Sequence, residues 1–228
     1  VCFTEDCQTK IRRKVGGRMK VLELFAGTRG ISKAFEEQGY SSFSIDYDES
    51  LPGIDWYADI GDIKKDDILE RFGRPDIIWA SPDCTTYSIA AISHHRNKDR
   101  GGYLVPKSDY AKTCDLVNVN VLKLIEELDP KYFYIENPRG GLRKMKFMQS
   151  IPRYTVTYCQ YGDDRMKPTD IWTNHPNPRF KPPCKNGAPC HVPAPRGSKT
   201  GTQGLKNARE RARIPKELCN HIVTISQE

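Results

Sequence analysis

From Lys20 onward, short runs of apolar, β-forming residues alternate with stretches whose apolar residues recur at helical spacing. The apolar runs predict four strands, at residues 21–25, 42–45, 77–79 and 132–135. Helical patterns lie between and beside them, at residues 31–35, 66–72 and 108–128. Because this alternation favours parallel strands joined by crossover helices, we expect an α/β chain with a mostly parallel, doubly wound sheet and helices on both faces.

The rest of the pattern predicts elements at one end of this sheet and on its surface. Two strands that pair as a hairpin and a closing helix are predicted at residues 154–158, 169–173 and 215–225. Residues 89–107 are basic and poor in apolar side chains, so they predict a mobile loop. The helix at residues 108–128 offers Leu116 and Val119, among others, for burial.

Length, charge and hydropathy limit the class of protein. The 228 residues allow one substantial core, and no apolar run approaches the ~18–20 residues that cross a bilayer. The N-terminus lacks the apolar region of a secretion signal, so we expect a soluble protein with no membrane partner. The net charge of +7 and the basic residues between Lys10 and Lys20 permit a polyanionic partner. That basic stretch is either a phosphate-contacting arm or a solvated tail.

Residues with distinct chemistry follow the predicted strands. A glycine turn with Gly27 and Gly30 follows the first strand, and Asp46 ends the second. Cys84 follows the third strand, and Glu136 follows the fourth. In an open α/β sheet, ligands bind at the edge formed by the carboxyl ends of the strands. The sequence therefore predicts one cleft that holds a cofactor, a nucleophile and an acid.

Three motifs stand in order along the chain: FAGTRG at residues 25–30, PDCTTYS at residues 82–88 and ENP at residues 136–138. Together they resemble the ordered motifs of cytosine-5 DNA methyltransferases, and the resemblance runs from about Lys20 to Thr173. It implies transfer of a methyl group from S-adenosylmethionine to carbon 5 of cytosine in DNA. The compact form is similar to the methyltransferases of bacteriophages, which implies the cytoplasm of a bacterial or phage-infected cell.

The resemblance also implies roles for single residues. Cys84 is expected to add to carbon 6 of cytosine, which makes carbon 5 nucleophilic, and Glu136 to hold or protonate the ring nitrogen. Lys167 is expected to act as a cation beside the base or its phosphate. Because a duplex hides both carbons, the base must be flipped out or presented in a single strand. The expected cofactor contacts are Glu23, Phe25, Ala26, Gly27, Thr28, Gly30, Asp46, Asp59 and Pro82.

The chain departs from the family pattern beside the nucleophile and near its end. Asp83 stands where the family has a second proline, and Thr85 where it has a glutamine. A carboxylate beside the thiol raises its pKa unless it is paired. Only a short segment separates Asn174 from Pro215, where sequence-specific relatives carry a large recognition domain. We therefore expect a short or loose target site, or a partner protein that supplies specificity.

These observations divide the chain into four expected parts. Residues 1–19 form a basic N-terminal segment, and residues 20–174 form the catalytic domain that binds S-adenosylmethionine. Residues 175–206 form an irregular insert that contacts DNA or zinc, and residues 207–228 form a helix on the catalytic domain. The candidates for DNA contact in the insert are Lys181, Lys185, Asn186, Arg196, Lys199 and Gln203. A merely solvated loop has the same composition.

Other functions stay open on the sequence alone. Amino methyltransferases, which act on an exocyclic nitrogen of adenine or cytosine, carry Ser-Pro-Pro-aromatic at the same strand end, and residues 81–84 partly resemble it. Glu136 and Asn137 have no role in that chemistry. A catalytically decayed relative that only binds nucleic acid is the other alternative, and the substitutions at Asp83 and Thr85 allow it. A donor that carries something other than a plain methyl group, and RNA as substrate, also stay open.

Eight cysteines in a chain without a secretion signal favour reduced thiols, metal ligands or catalysis over a disulfide framework. Those within predicted helices or strands are expected to be small core residues, namely Cys114, Cys159 and Cys219. Four loop cysteines together suit a tetrahedral zinc site, with His191 beside the last of them: Cys2, Cys7, Cys184 and Cys190. Plain loop cysteines are the alternative.

Overall fold

The computed structural model describes residues 18–193, 205 and 207–228. Within them, the strands are β1 Lys20–Leu24, β2 Ser41–Asp46, β3 Trp56–Tyr57, β4 Ile77–Ala80, β5 Arg96–Lys98, β6 Leu104–Pro106, β7 Tyr132–Pro138, β8 Arg153–Thr157 and β9 Pro168–Thr173. The helices are α1 Gly30–Glu36, α2 Lys65–Arg71, α3 Ile92–His95, α4 Asp109–Leu128, α5 Ala208–Ala212 and α6 Lys216–Ser226.

The main sheet is mostly parallel, as predicted. Its strands lie in the order β3-β2-β1-β4-β7-β9-β8, and β5 pairs with β6 in a separate ribbon. The first five strands of the main sheet are parallel to their neighbours, whereas β9 runs antiparallel to both β7 and β8. The predicted hairpin pair is confirmed as β8 and β9. The expected doubly wound α/β architecture is therefore confirmed.

Alternate residues of the central strands supply two cores, one on each face of the sheet. In β1, Val21 packs with the side chains of α1 and α6, while Leu22 packs on the opposite face with those of α4. In β4, Trp79 belongs to the first core and Ile78 to the second. Because side chains of a strand point alternately to its two faces, strands that are apolar at every position require cover on both sides.

The register brings the carboxyl ends of the three central strands to one level. Leu24 lies opposite Ala80, and Ala80 lies opposite Ile135. The chain leaves β1 toward β2 and β3 on one side and then returns to β4 on the other side of β1. This reversal makes the edge between β1 and β4 a topological switch point, where doubly wound folds bind their ligands.

The prediction of a loop over residues 89–107 is wrong. This segment contains α3 and the β5–β6 ribbon, and it is held by the buried side chain of Arg96. Its guanidinium lies 2.8 Å from the Asp115 carboxylate and donates to the carbonyl of Thr86. A buried arginine with these partners fixes the segment, although its composition is typical of an exposed loop.

Helix α4 buries a narrower face than its apolar content predicts. Its buried side chains are Ala111, Cys114, Asn118, Val121, Leu124, Ile125 and Leu128. The prediction of burial is wrong for Leu116 and Val119, which are 70% and 46% exposed. They lie on the outer side of a helix that covers only one face of the sheet.

Among the described residues, no helix is long and apolar enough to cross a membrane. The described part of the expected insert, residues 175–193, contains turns and extended segments between β9 and the chain's last helices. The expected DNA-contacting residues Arg196, Lys199 and Gln203 lie outside the described residues, as does most of the basic N-terminal segment.

Candidate active site

A cavity of about 280 Å³ opens at the switch point between β1 and β4, close to the lower end of the usual range for small-molecule sites. Most of the residues expected to bind the cofactor or react line it together: Glu23, Phe25, Ala26, Gly27, Thr28, Gly30, Asp46, Pro82, Cys84 and Glu136. The C-terminal segment closes one side with Arg209, Ala212, Arg213 and Ile214.

The turn after β1 has an unusual backbone. Phe25, Gly27 and Arg29 all have positive φ angles, of 57°, 52° and 57°. Residues other than glycine rarely adopt such angles. The Ala26 amide donates to the carbonyl of Ile45, and the Gly27 amide donates to Oδ2 of Asp46 at 2.9 Å. The end of β2 therefore holds the turn in a shape that exposes its backbone to the cavity.

Glu23 is a buried carboxyl group at the inner end of the cavity. Its two oxygens accept the amides of Ile31 and Ser32, in the first turn of α1, at 3.2 and 2.8 Å. Burial nevertheless raises the pKa of Glu23 to about 7. A carboxyl group with this pKa is only partly ionised at neutral pH. A cationic ligand placed beside it would stabilise the ionised form.

The cavity suits S-adenosylmethionine in the chemistry of its walls. Phe25, Leu51 and Ile214 supply apolar surface for an adenine ring. Asp46 supplies a strand-end carboxylate of the kind that accepts ribose hydroxyls, and Glu23 supplies a carboxyl for an amino group. Asp59 lies outside the cavity lining, where its exposed carboxylate accepts the Gly61 amide, so its cofactor contact stays a prediction.

Cys84 begins the turn that follows β4. It precedes the 3₁₀ turn Thr85–Tyr87, and its thiol faces the cavity. The pKa of this thiol is raised to about 11, first by burial and then by the carboxylates of Asp83 and Glu136. The ammonium group of Lys167 acts in the opposite direction. Asp83 is itself held by hydrogen bonds from Thr85 and from the Tyr110 hydroxyl.

Glu136 lies at the end of β7, next to β4, and is 5% exposed. Burial raises the pKa of its carboxyl group, and the charge of Lys167 partly offsets that rise. The Tyr158 hydroxyl donates to Oε1 of Glu136 at 2.9 Å. The carboxyl group is therefore buried and oriented, and the raised pKa favours its neutral, proton-donating form.

Lys167 is buried beside these two groups, and its backbone has a φ of 27°. Its Nζ donates to the carbonyl of Arg211 at 2.8 Å and lies 4.4 Å from the centre of the Tyr158 ring. Burial lowers the pKa of Lys167, while Glu136 and Cys84 raise it. Lys167, the expected cation, is therefore close to both Glu136 and Cys84.

Two supporting residues were not predicted from the sequence. Tyr158 orients Glu136, and Arg165 donates to the carbonyls of Glu210 and Arg211 while its guanidinium pairs with Asp163. Arg165 thereby holds the C-terminal segment against the cavity. A signal for Arg165 was present, since it lies beside Lys167 in a stretch expected to be cationic. Tyr158 had no such signal, because its position looked like an ordinary strand residue.

The core prediction is confirmed by burial for Cys114, Cys159 and Cys219. Cys159 lies in the 3₁₀ turn after β8, not in the predicted strand. Its Sγ lies 3.1 Å from Sγ of Cys184, beside Cys190 and His191. Cys2 and Cys7, the other two expected zinc ligands, lie outside the described residues.

Comparison with known proteins identifies the family. The family model of C-5 cytosine-specific DNA methylases matches residues 19–151. A "Probable DNA (cytosine-5)-methyltransferase" of Frog virus 3 (isolate Goorha) is 32% identical over 165 residues, which cover 68% of this chain and 71% of that protein.

Solved structures align more distantly. A mutant of DNMT2 from Spodoptera frugiperda aligns at 17% identity and a TM-score of 0.47 over 77% of this chain, which spans 57% of that protein's length. The glycopeptide N-methyltransferase MtfA, complexed with S-adenosylmethionine, aligns at 10% identity and a TM-score of 0.38, over 74% of this chain and 92% of its own.

A doubly wound sheet whose switch point carries a glycine turn, a strand-end carboxylate and a cavity is an open α/β fold that binds its ligand at that edge. The match to the DNA methylase family makes it an S-adenosylmethionine-dependent methyltransferase. Within that class, the chain belongs to the family of C-5 cytosine-specific DNA methylases. The expected enzyme class, a DNA (cytosine-5)-methyltransferase, is thereby confirmed. The phage-like source stays a prediction.

Proposed function

We propose that this enzyme methylates carbon 5 of cytosine in DNA through a covalent adduct with Cys84, with Glu136 as the acid and Lys167 as the neighbouring cation. The observation that carries the proposal is that Cys84, after β4, and Glu136, from β7, line the same cavity. Lys167, from the β8–β9 connection, is buried close enough for its charge to act on both. The charges of Glu136 and Lys167 both act on the Cys84 thiol.

The first step is addition of the Cys84 sulfur to carbon 6 of the cytosine. A bond forms between Sγ and carbon 6, and the electron pair of the ring's double bond shifts to make carbon 5 nucleophilic. Glu136 donates its proton to the ring nitrogen, which keeps negative charge from building up on the ring. When bound, S-adenosylmethionine supplies an electrophilic methyl group on a positively charged sulfur.

The last step returns the enzyme to its starting form. After carbon 5 has gained its methyl group, the proton on that carbon passes to solvent water. Its electron pair restores the ring's double bond, and the bond between Sγ and carbon 6 breaks to release Cys84 as a thiolate. Glu136 then recovers the proton from the ring nitrogen, so atoms and charges balance over the cycle.

The two reacting side chains need different protonation states. Glu136 must be protonated to act as an acid, and its raised pKa favours that form. Cys84 must be deprotonated to act as a nucleophile, yet its pKa is raised to about 11. We infer that positive charge brought by the bound cofactor completes the activation that Lys167 begins.

The remaining assignments are also proposals. We assign Glu23, Phe25, Asp46 and the turn from Ala26 to Gly30 to cofactor binding because they line the same cavity. We further propose that the target base is flipped out of the DNA or presented in a single strand. Either the target site is short or loose, or a partner protein supplies specificity, and the enzyme acts in the cytoplasm.

The decisive experiment is nucleoside mass spectrometry of DNA incubated with S-adenosylmethionine and either wild type or Cys84→Ala. The proposal expects 5-methyldeoxycytidine from the wild type only, and a trapped protein–DNA adduct with DNA that contains 5-fluorodeoxycytidine. An N-methylated base that Cys84→Ala also produces would instead support the amino methyltransferase. A wild type that binds DNA without modifying it would support the decayed relative.

A further inference from the structure

We propose that Cys159, Cys184, Cys190 and His191 form a zinc site that joins the insert to the catalytic domain. One ligand atom from each residue lies within 4.8 Å of the others. This set differs from the four cysteines expected from the sequence. It shares Cys184 and Cys190 with them, but it needs neither Cys2 nor Cys7.

Three of the distances between the ligand atoms match the edges of a zinc tetrahedron. With Zn–S bonds of ~2.3 Å and a Zn–N bond of ~2.0–2.1 Å, tetrahedral angles place sulfurs about 3.8 Å apart and sulfur about 3.6 Å from nitrogen. In the structure, Sγ of Cys190 lies 3.7 Å from Sγ of Cys159. Nδ1 of His191 lies 3.6 Å from the sulfurs of both Cys184 and Cys190. The 3.1 Å between Cys159 and Cys184 is shorter.

The ligands come from two parts of the chain that are already joined by hydrogen bonds. Cys159 lies in the 3₁₀ turn Tyr158–Tyr161, which directly follows β8. The Cys184 amide donates to Oγ1 of Thr157 at 2.9 Å. This bond holds the insert beside the end of β8, so the backbone presents the thiols toward a common centre before any metal binds.

The environment of His191 favours a metal site and argues against a chance cluster of thiols. Its side chain is buried, with 8% exposure, and its Nδ1 faces the sulfurs of Cys184 and Cys190. Among the described residues, its Nε2 has no hydrogen-bond partner. Burying an imidazole costs free energy unless its nitrogens are satisfied, and coordination through Nδ1 would satisfy the nitrogen that faces the thiols. The combination of three thiols and one imidazole is a common set for structural zinc.

The position of the site suggests what it does for the enzyme. The same turn carries Tyr158, which orients Glu136, and leads through Asp164 to Lys167. The Val192 amide, next to His191, donates to the carbonyl of Asp164 at 2.9 Å. Zinc would therefore fix both the insert and the connection that carries Lys167. As zinc binds, the thiol protons of the three cysteines pass to solvent.

The test is the zinc content and zinc affinity of the full chain, measured by elemental analysis and by competition with a chromogenic chelator. We expect one zinc per chain in the wild type and loss of at least about tenfold in affinity for Cys190→Ser, the scale reached when metal sites are disturbed. The matched control is Cys114→Ser, which removes a buried thiol of α4 outside the cluster and should keep the wild-type affinity.

Cobalt titration of the metal-free wild type gives a second readout that needs no variant. Co²⁺ in this site should show thiolate charge-transfer bands and the intense visible bands of tetrahedral coordination, and stoichiometric zinc should abolish them. Three outcomes would overturn the proposal. They are substoichiometric zinc in the wild type, unchanged zinc affinity in Cys190→Ser, and a disulfide between Cys159 and Cys184 in protein purified under reducing conditions. None of these results depends on methyltransferase activity.

Discussion

The molecule contains thiols in two contrasting environments, one at the centre of the sheet and one near its β8 edge. Cys84 stands alone at the end of β4 and is surrounded by the charges of Asp83, Glu136 and Lys167. Cys159, near the edge, has two other thiols and an imidazole as neighbours. The surrounding groups, more than the thiol itself, decide what each cysteine can do.

A single thiol among opposing charges is sensitive to every change of charge in its cavity. The carboxylates keep Cys84 protonated and Lys167 favours the thiolate, so an arriving cation can shift the balance. Thiols that converge on one centre respond instead to an ion that all of them bind. This contrast predicts that substitutions at the two places have effects of different kinds and sizes.

The largest effect is expected at the nucleophile. Cys84→Ala should lower methyl transfer at least about 10⁴-fold, the scale lost when a catalytic nucleophile is removed, because no sulfur is left to add to carbon 6. Binding of S-adenosylmethionine, measured by calorimetry, should stay close to that of the wild type. Cys114→Ser is the matched control and should keep its activity. Comparable losses in both variants would contradict the contrast.

Removing the acid should cost somewhat less. Glu136→Gln keeps the shape of the side chain but loses its proton, so we expect a ~10²–10⁴-fold lower rate, the usual share of general acid catalysis. In the wild type, the acid is protonated below its raised pKa. The rate should therefore decline as the pH rises through that pKa, and Glu136→Gln should lose this part of the pH profile. An unchanged profile would exclude Glu136 as the acid.

The cofactor should change the reactivity of Cys84 but not that of the edge thiols. In the free enzyme, a thiol with a pKa raised to about 11 should be alkylated slowly at neutral pH, and faster as the pH increases toward that value. S-Adenosylmethionine should lower this pKa through its sulfonium charge, whereas S-adenosylhomocysteine, which lacks that charge, should not. Site-resolved mass spectrometry after iodoacetamide pulses measures the alkylation rate of Cys84 with each compound. Alkylation of Cys190 serves as the internal reference. Equal effects of the two compounds on Cys84 would exclude the charge as the cause.

The smallest expected effect concerns the residue that departs from the family pattern. Asp83→Asn removes the negative charge that raises the pKa of Cys84 more than the charge of Glu136 does, so alkylation at neutral pH should become about two- to tenfold faster. Asp62→Asn is the control, since Asp62 is exposed and does not contribute to that pKa. A slower reaction in Asp83→Asn would show that Asp83 positions the thiol through Thr85 and Tyr110 instead.

The fold was predictable where local pattern and final packing agree. The strands β1, β4 and β7 contain apolar runs that are buried on both faces, so their pattern survives in the folded protein. Residues 89–107 were predicted wrongly because a single long-range pair, between Arg96 and Asp115, outweighs their polar composition. Leu116 and Val119 were predicted wrongly because an apolar pattern does not tell how much of a helix the sheet covers.

By itself, the sequence determined the order of strands and helices, the family, and the residues that stand at the strand ends. A residue at the carboxyl end of a central parallel strand lies at the switch point regardless of its side chain. For this reason the sequence correctly placed Cys84, Glu136 and Asp46 at the cavity. Only the tertiary structure decided which side chains from distant segments meet. The position of Lys167 beside Glu136, and of Cys159 beside His191, depends on how the β8–β9 hairpin and the insert pack, because contacts between distant segments follow from global packing and leave no local periodicity in the chain.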